Sequence, residues 1–103
     1  MYQVELVKTL RVESYRKRHV TDYSLPVLDV FEIRLVRTIE LPFPPYPGLE
    51  IDTALATIRR VVWESSRFCF FCPVEDGSCS DDNVDAALRQ LEKFGWRRAD
   101  TPT

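Results

Sequence analysis

Tyr2-Gln-Val-Glu-Leu-Val-Lys-Thr-Leu-Arg-Val-Glu13 is the stretch that decides how this chain folds. Tyr2, Val4, Leu6, Leu10 and Val12 share one parity, broken only by Lys8. Gln3, Glu5, Thr9, Arg11 and Glu13 share the other, broken only by Val7. Successive side chains of a strand point to opposite sides of its sheet, so this period of two predicts a strand with one buried face. A second run, Val27 to Leu41, repeats the pattern. Val27, Phe31, Ile33, Leu35, Ile39 and Leu41 fall on its odd positions, with Glu32, Arg34, Thr38 and Glu40 among the even ones. Fifteen residues is long for one strand, so a bulge or bend is expected near Leu35-Val36, where apolar side chains fall on both faces.

The segments next to these two strands read as connections. Ser14 to Pro26 (14–26) reads as a long basic loop holding Tyr15, Arg16, Lys17, Arg18, the single histidine His19, Asp22 and Tyr23. Loops of this length inside compact domains are often functional, and basic residues flanked by tyrosines can touch phosphate or stack on a base. A solvated hairpin tip is the plainer reading. After the second strand, residues 41–48 hold four of the seven prolines. Proline fixes φ and donates no ladder hydrogen bond, so the sheet must stop and the chain must turn an extended, polyproline-like corner. Pro42 and Pro45 have PxxP spacing, but no Arg or Lys flanks them; Phe43 and Tyr46 fit an internal corner that covers one end of the core.

Residues 49–64 allow two readings. Ile51, Ala54, Leu55, Ile58, Val61 and Val62 match an amphipathic helix with Asp52 as N-cap. The same residues divide into short strands, and a strand over 58–63 is the reading adopted. Its polar link Glu64-Ser-Ser-Arg67 then leads into Phe68-Cys-Phe-Phe-Cys72 as a hairpin. The last element is a helix: Val84, Ala87, Leu88, Leu91 and Phe94 line one face. Ser80 or Asp81 is expected to cap it, and Asp81, Asp82 and Asp85 suit the positive end of its dipole. Lys93, Arg97 and Arg98 lie at the opposite end. Gly95 fits a left-handed C′ residue, with Trp96 folding back on Leu91 in a Schellman arrangement. Residues 99–103 read as a short frayed tail.

Composition bounds the function. One domain fits 103 residues, and 45% hydrophobic with 29% charged residues is a globular balance. Fourteen basic against sixteen acidic residues give a net charge of -2, which argues against general coating of nucleic acid. The longest apolar run is Phe68 to Cys72, too short to span a membrane as a helix. No basic and apolar leader opens the sequence, and an odd number of cysteines argues against a disulfide scaffold. A cytoplasmic location with reduced thiols is expected.

Candidate chemistry is thin. Cys69, Cys72 and Cys79, with His19 distant, offer four soft ligands for zinc. Yet residues three apart on a strand face opposite ways, and free cysteine packs as a small hydrophobe. Asp81, Asn83, Asp85 and Glu92 occupy ligand positions of a calcium loop, but Ala86 stands where its sharp turn needs glycine. One histidine, three glycines and the turn carboxylates Glu75 and Asp76 make no catalytic constellation.

The expected fold class is therefore α+β: a small, mainly antiparallel curled sheet or partial barrel with one C-terminal helix packed on it. The expected function is a cytosolic protein-interaction or assembly module, with no catalytic residues and no cofactor, acting through a protein partner or self-association. That expectation rests on the long strand at 27–41, which is expected to expose an edge open to strand addition or a twofold dimer, and on an aromatic content of 12%. The alternatives are nucleic-acid contact through Tyr15, Arg16, Lys17, Arg18, His19 and Tyr23, or a zinc-stabilised domain built on the three cysteines.

Overall fold

In a computed structural model, residues 1–17, 26–51 and 56–99 are described. Strand β1 (Tyr2–Lys17) and strand β2 (Pro26–Leu41) pair antiparallel along their whole length, from Tyr2 opposite Leu41 to Lys17 opposite Pro26. The register never slips. The bulge expected at Leu35-Val36 is absent, because Val36 lies directly opposite Val7 and both are buried. Each of these apolar residues on the polar parity is the cross-strand partner of the other, so the strand can stay straight. The 14–26 loop is also shorter than expected. Ser14 to Lys17 continue β1, and the connection 18–25 lies outside the described residues.

Beyond β2 come the short strands β3 (Glu50–Ile51) and β4 (Ala56–Thr57), which pair with each other. The alternative helix over 49–64 is not formed over its described part. The strand expected over 58–63 forms only as β5 (Val62–Glu64), which pairs with β6 (Cys69–Pro73) in the expected hairpin, while Ile58 makes an isolated bridge to Val74 and 59–61 join no strand. Asp52, the N-cap of the helical reading, lies outside the described residues. The hairpin turn ends on Phe68, an exposed aromatic at φ 50°. That conformation is uncommon for a bulky side chain.

β6 runs parallel to β1, with Val4 opposite Phe70 and Val7 opposite Pro73. Strand β7 (Gly77–Ser80) continues along the same edge, starting with Leu10 opposite Gly77. Three steps on β1 therefore match four on the other side, which is a bulge of one residue. Lys8 sits beneath it and donates from Nζ to the Glu75 carbonyl at 3.1 Å. This explains the lysine on the apolar parity: its ammonium satisfies a carbonyl that the bulge removes from the ladder. A Cβ at Gly77 would stand 3.3 Å from both Lys8 Cε and Leu10 Cδ1, so the smallest residue suits the return to the sheet.

After a 3₁₀ turn (Asp81–Asn83), helix α1 (Val84–Lys93) crosses the apolar face, and β8 (Arg97–Arg98) pairs with β2. Neither Ser80 nor Asn83 caps through its side chain; Asn83 Nδ2 donates to Ser80 Oγ instead, at 3.0 Å. The C-terminus forms as expected. Gly95 has φ 91°, its N–H reaches Glu92 O at 3.0 Å, and Trp96 N–H reaches Leu91 O at 3.2 Å. That hydrogen-bond pair defines a Schellman cap, with Leu91 and Trp96 both buried behind it. Arg97 and Arg98 belong to β8 rather than to the helix end.

The strand order is β5-β6-β1-β2-β8, with β7 beside β1 past the end of β6. The architecture is α+β, as the sequence predicts, and the mixed sheet is open rather than closed into a barrel. Val4, Leu6, Leu10 and Val12 of β1 and Ile33 and Leu35 of β2 form the floor of the core. Leu91 and Trp96, together with Ala56, Ile58 and Val74, complete the core. Burying each such aliphatic side chain contributes about 1.5–3 kcal/mol, which is why one face of β1 governs the fold. The molecule is elongated, 61 × 28 × 28 Å, because the two long strands outrun the elements that pack on them.

Candidate interaction site

The sequence candidates do not come together. Tyr15, Arg16 and Lys17 lie at the far end of β1, in register with Leu28, Val27 and Pro26, while Arg18, His19 and Tyr23 lie outside the described residues. Cys69 and Cys72 are buried on opposite faces of β6, as strand alternation requires. Cys79 on β7 pairs with Val12, whereas Cys72 pairs with Leu6, which separates the two thiols by roughly 20 Å along the sheet. Burial, and then the neighbouring Cys69, raises the Cys72 thiol to about 11. Burial and then Asp81 also push Cys79 up. Raised thiols are poor thiolate ligands and poor nucleophiles at neutral pH. Among the described residues no three His, Cys, Asp or Glu side chains gather in a metal-binding group. Asp81, Asn83, Asp85 and Glu92 are spread over the 3₁₀ turn and α1 instead of wrapping a loop.

What the structure does present is an open strand edge. Ala99 N–H donates to Arg34 O at 3.0 Å, so the Arg34 carbonyl points away from β1. On the other side of the hairpin, Val7 O accepts from Val74 N–H at 2.9 Å and points away from β2. Backbone groups alternate along an antiparallel ladder. The N–H and C=O groups of Leu28, Val30 and Glu32 therefore face outward, while those of Asp29, Phe31 and Ile33 bond to β1. β8 pairs with β2 at Leu35 and Val36, and Ala99 extends the contact to Arg34. Among the described residues no strand pairs with β2 on that side from Pro26 to Ile33.

This edge carries apolar side chains on both faces: Val30 is 42% exposed and Phe31 45% exposed. A groove of about 570 Å³ runs beside it, lined by Phe31, Glu32, Ile33, Arg34, Arg98 and Ala99. It begins where β8 ends, in the lane that a further strand would occupy. Long edges are usually shortened, charged or covered, because unpaired ladder groups recruit other chains. Here Asp29 and Glu32 supply charge, but among the described residues nothing fills the lane. Sequence reading reached the strand, its apolar content and an exposed edge as an expectation, but not which part of the edge is left, since that depends on where residues 97–99 return to the sheet.

No helix among the described residues is long and apolar enough to cross a membrane. No family model matches the chain, and no curated protein or solved structure matches it either.

Proposed function

We propose that this chain is a small protein-interaction and assembly module, without catalytic activity, that recruits its partner by strand addition to the open edge of β2. The observation that supports this reading is the run of outward-facing backbone groups at Leu28, Val30 and Glu32, flanked by exposed Val30 and Phe31. Main-chain hydrogen bonds would hold the added strand, and alternate side chains would read the groove beside Phe31 and Ile33. The first partner to test is β2 of a second copy, paired antiparallel about a twofold axis, because one edge then completes the other. The proposed setting is the cytoplasm, where the three free thiols stay reduced.

The experiment is light scattering on the purified chain at tens of micromolar. A mass of two chains or more, lowered in Val30→Pro, is expected, and an unchanged mass in that variant counts against the edge. A single-chain mass at every concentration overturns self-assembly through this edge.

A further inference from the structure

A second apolar feature lies at the opposite end of β1 from the 18–25 connection. Tyr2 on β1, Phe70 on β6 and Trp63 on β5 form a row across three adjacent strands. The ring centroids are 6.1 Å apart for Tyr2 and Phe70, and 5.0 Å apart for Phe70 and Trp63. Phe70 is half-buried against the core, whereas Tyr2 is 42% and Trp63 53% exposed. The outer rings thus stand at most about 11 Å apart, close to one turn of a polyproline helix, which rises ~9 Å in three residues. Tyr2 and Trp63 each add a polar handle at the edge of an apolar ring, which suits the unpaired carbonyls of a proline-rich backbone.

A segment of that chemistry emerges at the same end. Leu41 pairs with Tyr2, and the chain continues as Pro42-Phe-Pro-Pro-Tyr-Pro47. Pro45 is buried and anchors the corner, while Pro42, Phe43, Pro44, Tyr46 and Pro47 are exposed. Among the described residues the ring of Phe43 meets only that of Tyr46, at 6.2 Å, and not the row.

We infer that the Tyr2–Phe70–Trp63 row is a docking platform for the proline strip of a second copy. Row and strip share one end of the molecule, so a single twofold axis places each copy's strip on the other's row, and the contact closes at two chains. Aromatic side chains supply about 150–250 Å² each when covered. The exposed parts of Tyr2, Trp63, Phe43 and Tyr46 from two copies therefore supply about 570–950 Å², and the exposed Pro42, Pro44 and Pro47 of each strip add to that toward the ~1,000 Å² of a specific contact. This contact is independent of the β2 edge. Both together would link copies alternately at their two ends.

The test is a titration of the synthetic peptide Glu40–Glu50 into full-length Val30→Pro, and into the wild-type chain at one micromolar. Trp63 reports binding, because Trp96 is 2% exposed and already shielded. A saturable blue shift of emission is expected. It should weaken at least fivefold in Tyr2→Ala, and for a peptide with Pro44 and Pro45 replaced by alanine. No shift up to millimolar peptide overturns the proposal, as does an equal shift from a scrambled peptide. Binding of decaproline but not of the chain's own peptide also overturns it, since the partner would then be a foreign segment. The edge reading is scored separately by whether Val30→Pro lowers the mass found for the wild-type chain, so either can fail while the other stands.

Discussion

Replacing two neighbouring residues of β2 by proline should have sharply different consequences. Val30 directs its N–H outward, so Val30→Pro removes no hydrogen bond from the β1–β2 ladder. Its cost is a narrowed φ and a lost half-exposed side chain, about 1 kcal/mol. Phe31 directs its N–H to the carbonyl of Val12, a residue with no exposed surface. Phe31→Pro deletes that bond, strands a buried acceptor and drives the ring into the partner strand. An unsatisfied buried carbonyl costs about 1–3 kcal/mol, so Phe31→Pro should be less stable than Val30→Pro by about 2–4 kcal/mol. Urea unfolding followed by Trp96 fluorescence in dilute solution measures both. Equal losses would refute the alternation deduced from the Ala99–Arg34 and Val74–Val7 hydrogen bonds, and the open edge with it.

Other expectations concern single groups. Gly95→Ala should lower stability by about 1 kcal/mol, or roughly 5 °C in Tm, because an L side chain is strained at φ 91°; an unchanged Tm contradicts the Schellman cap. Lys8→Met should lower stability by about 1–3 kcal/mol in thermal unfolding at pH 7, because it takes the donor from the Glu75 carbonyl. Desolvation, opposed by the charges of Glu75 and Asp76, lowers the Lys8 pKa; the penalty on its charged form is full below the lowered value and fades as pH rises toward 10.5, so the loss in Lys8→Met should grow in alkali. The Cys72 pKa is raised, so its contribution is fully present below 9.0 and lost as pH rises through about 11; Cys72→Ala should flatten this alkaline decline. Under native conditions Cys79 should react first with a thiol reagent, ahead of buried Cys69 and Cys72; the reverse order contradicts the placement of β6.

Legibility in the sequence followed the range of the interactions. The alternation of β1 and β2, the stripe of α1 and the Gly95-Trp96 stop depend on neighbours within a few residues, and they stand as read except for Phe94, which caps the helix end and is exposed. The departures at Val7, Lys8 and Val36 were visible but not interpretable. Val7 and Val36 explain each other across a register that is set elsewhere, and Lys8 is explained by a bulge roughly 65 residues away in sequence. Parallel pairing of β1 with β6 and β7 leaves no local mark, because such a strand is placed by its crossover rather than by a turn. The basic residues at 15–17 drew attention as a loop but prolong β1. The edge of β2 is a matter of coverage: a two-residue strand, β8, ends at Arg98, and among the described residues no other strand covers the rest of the lane.

Amide hydrogen exchange at Leu28, Val30 and Glu32 tests strand addition at the β2 edge most directly. In dilute solution these three N–H groups should exchange quickly while Asp29, Phe31 and Ile33 stay protected, and raising the concentration to tens of micromolar should slow the first set. Fast exchange at Val30 and Glu32 in a sample already shown to be associated would contradict the account.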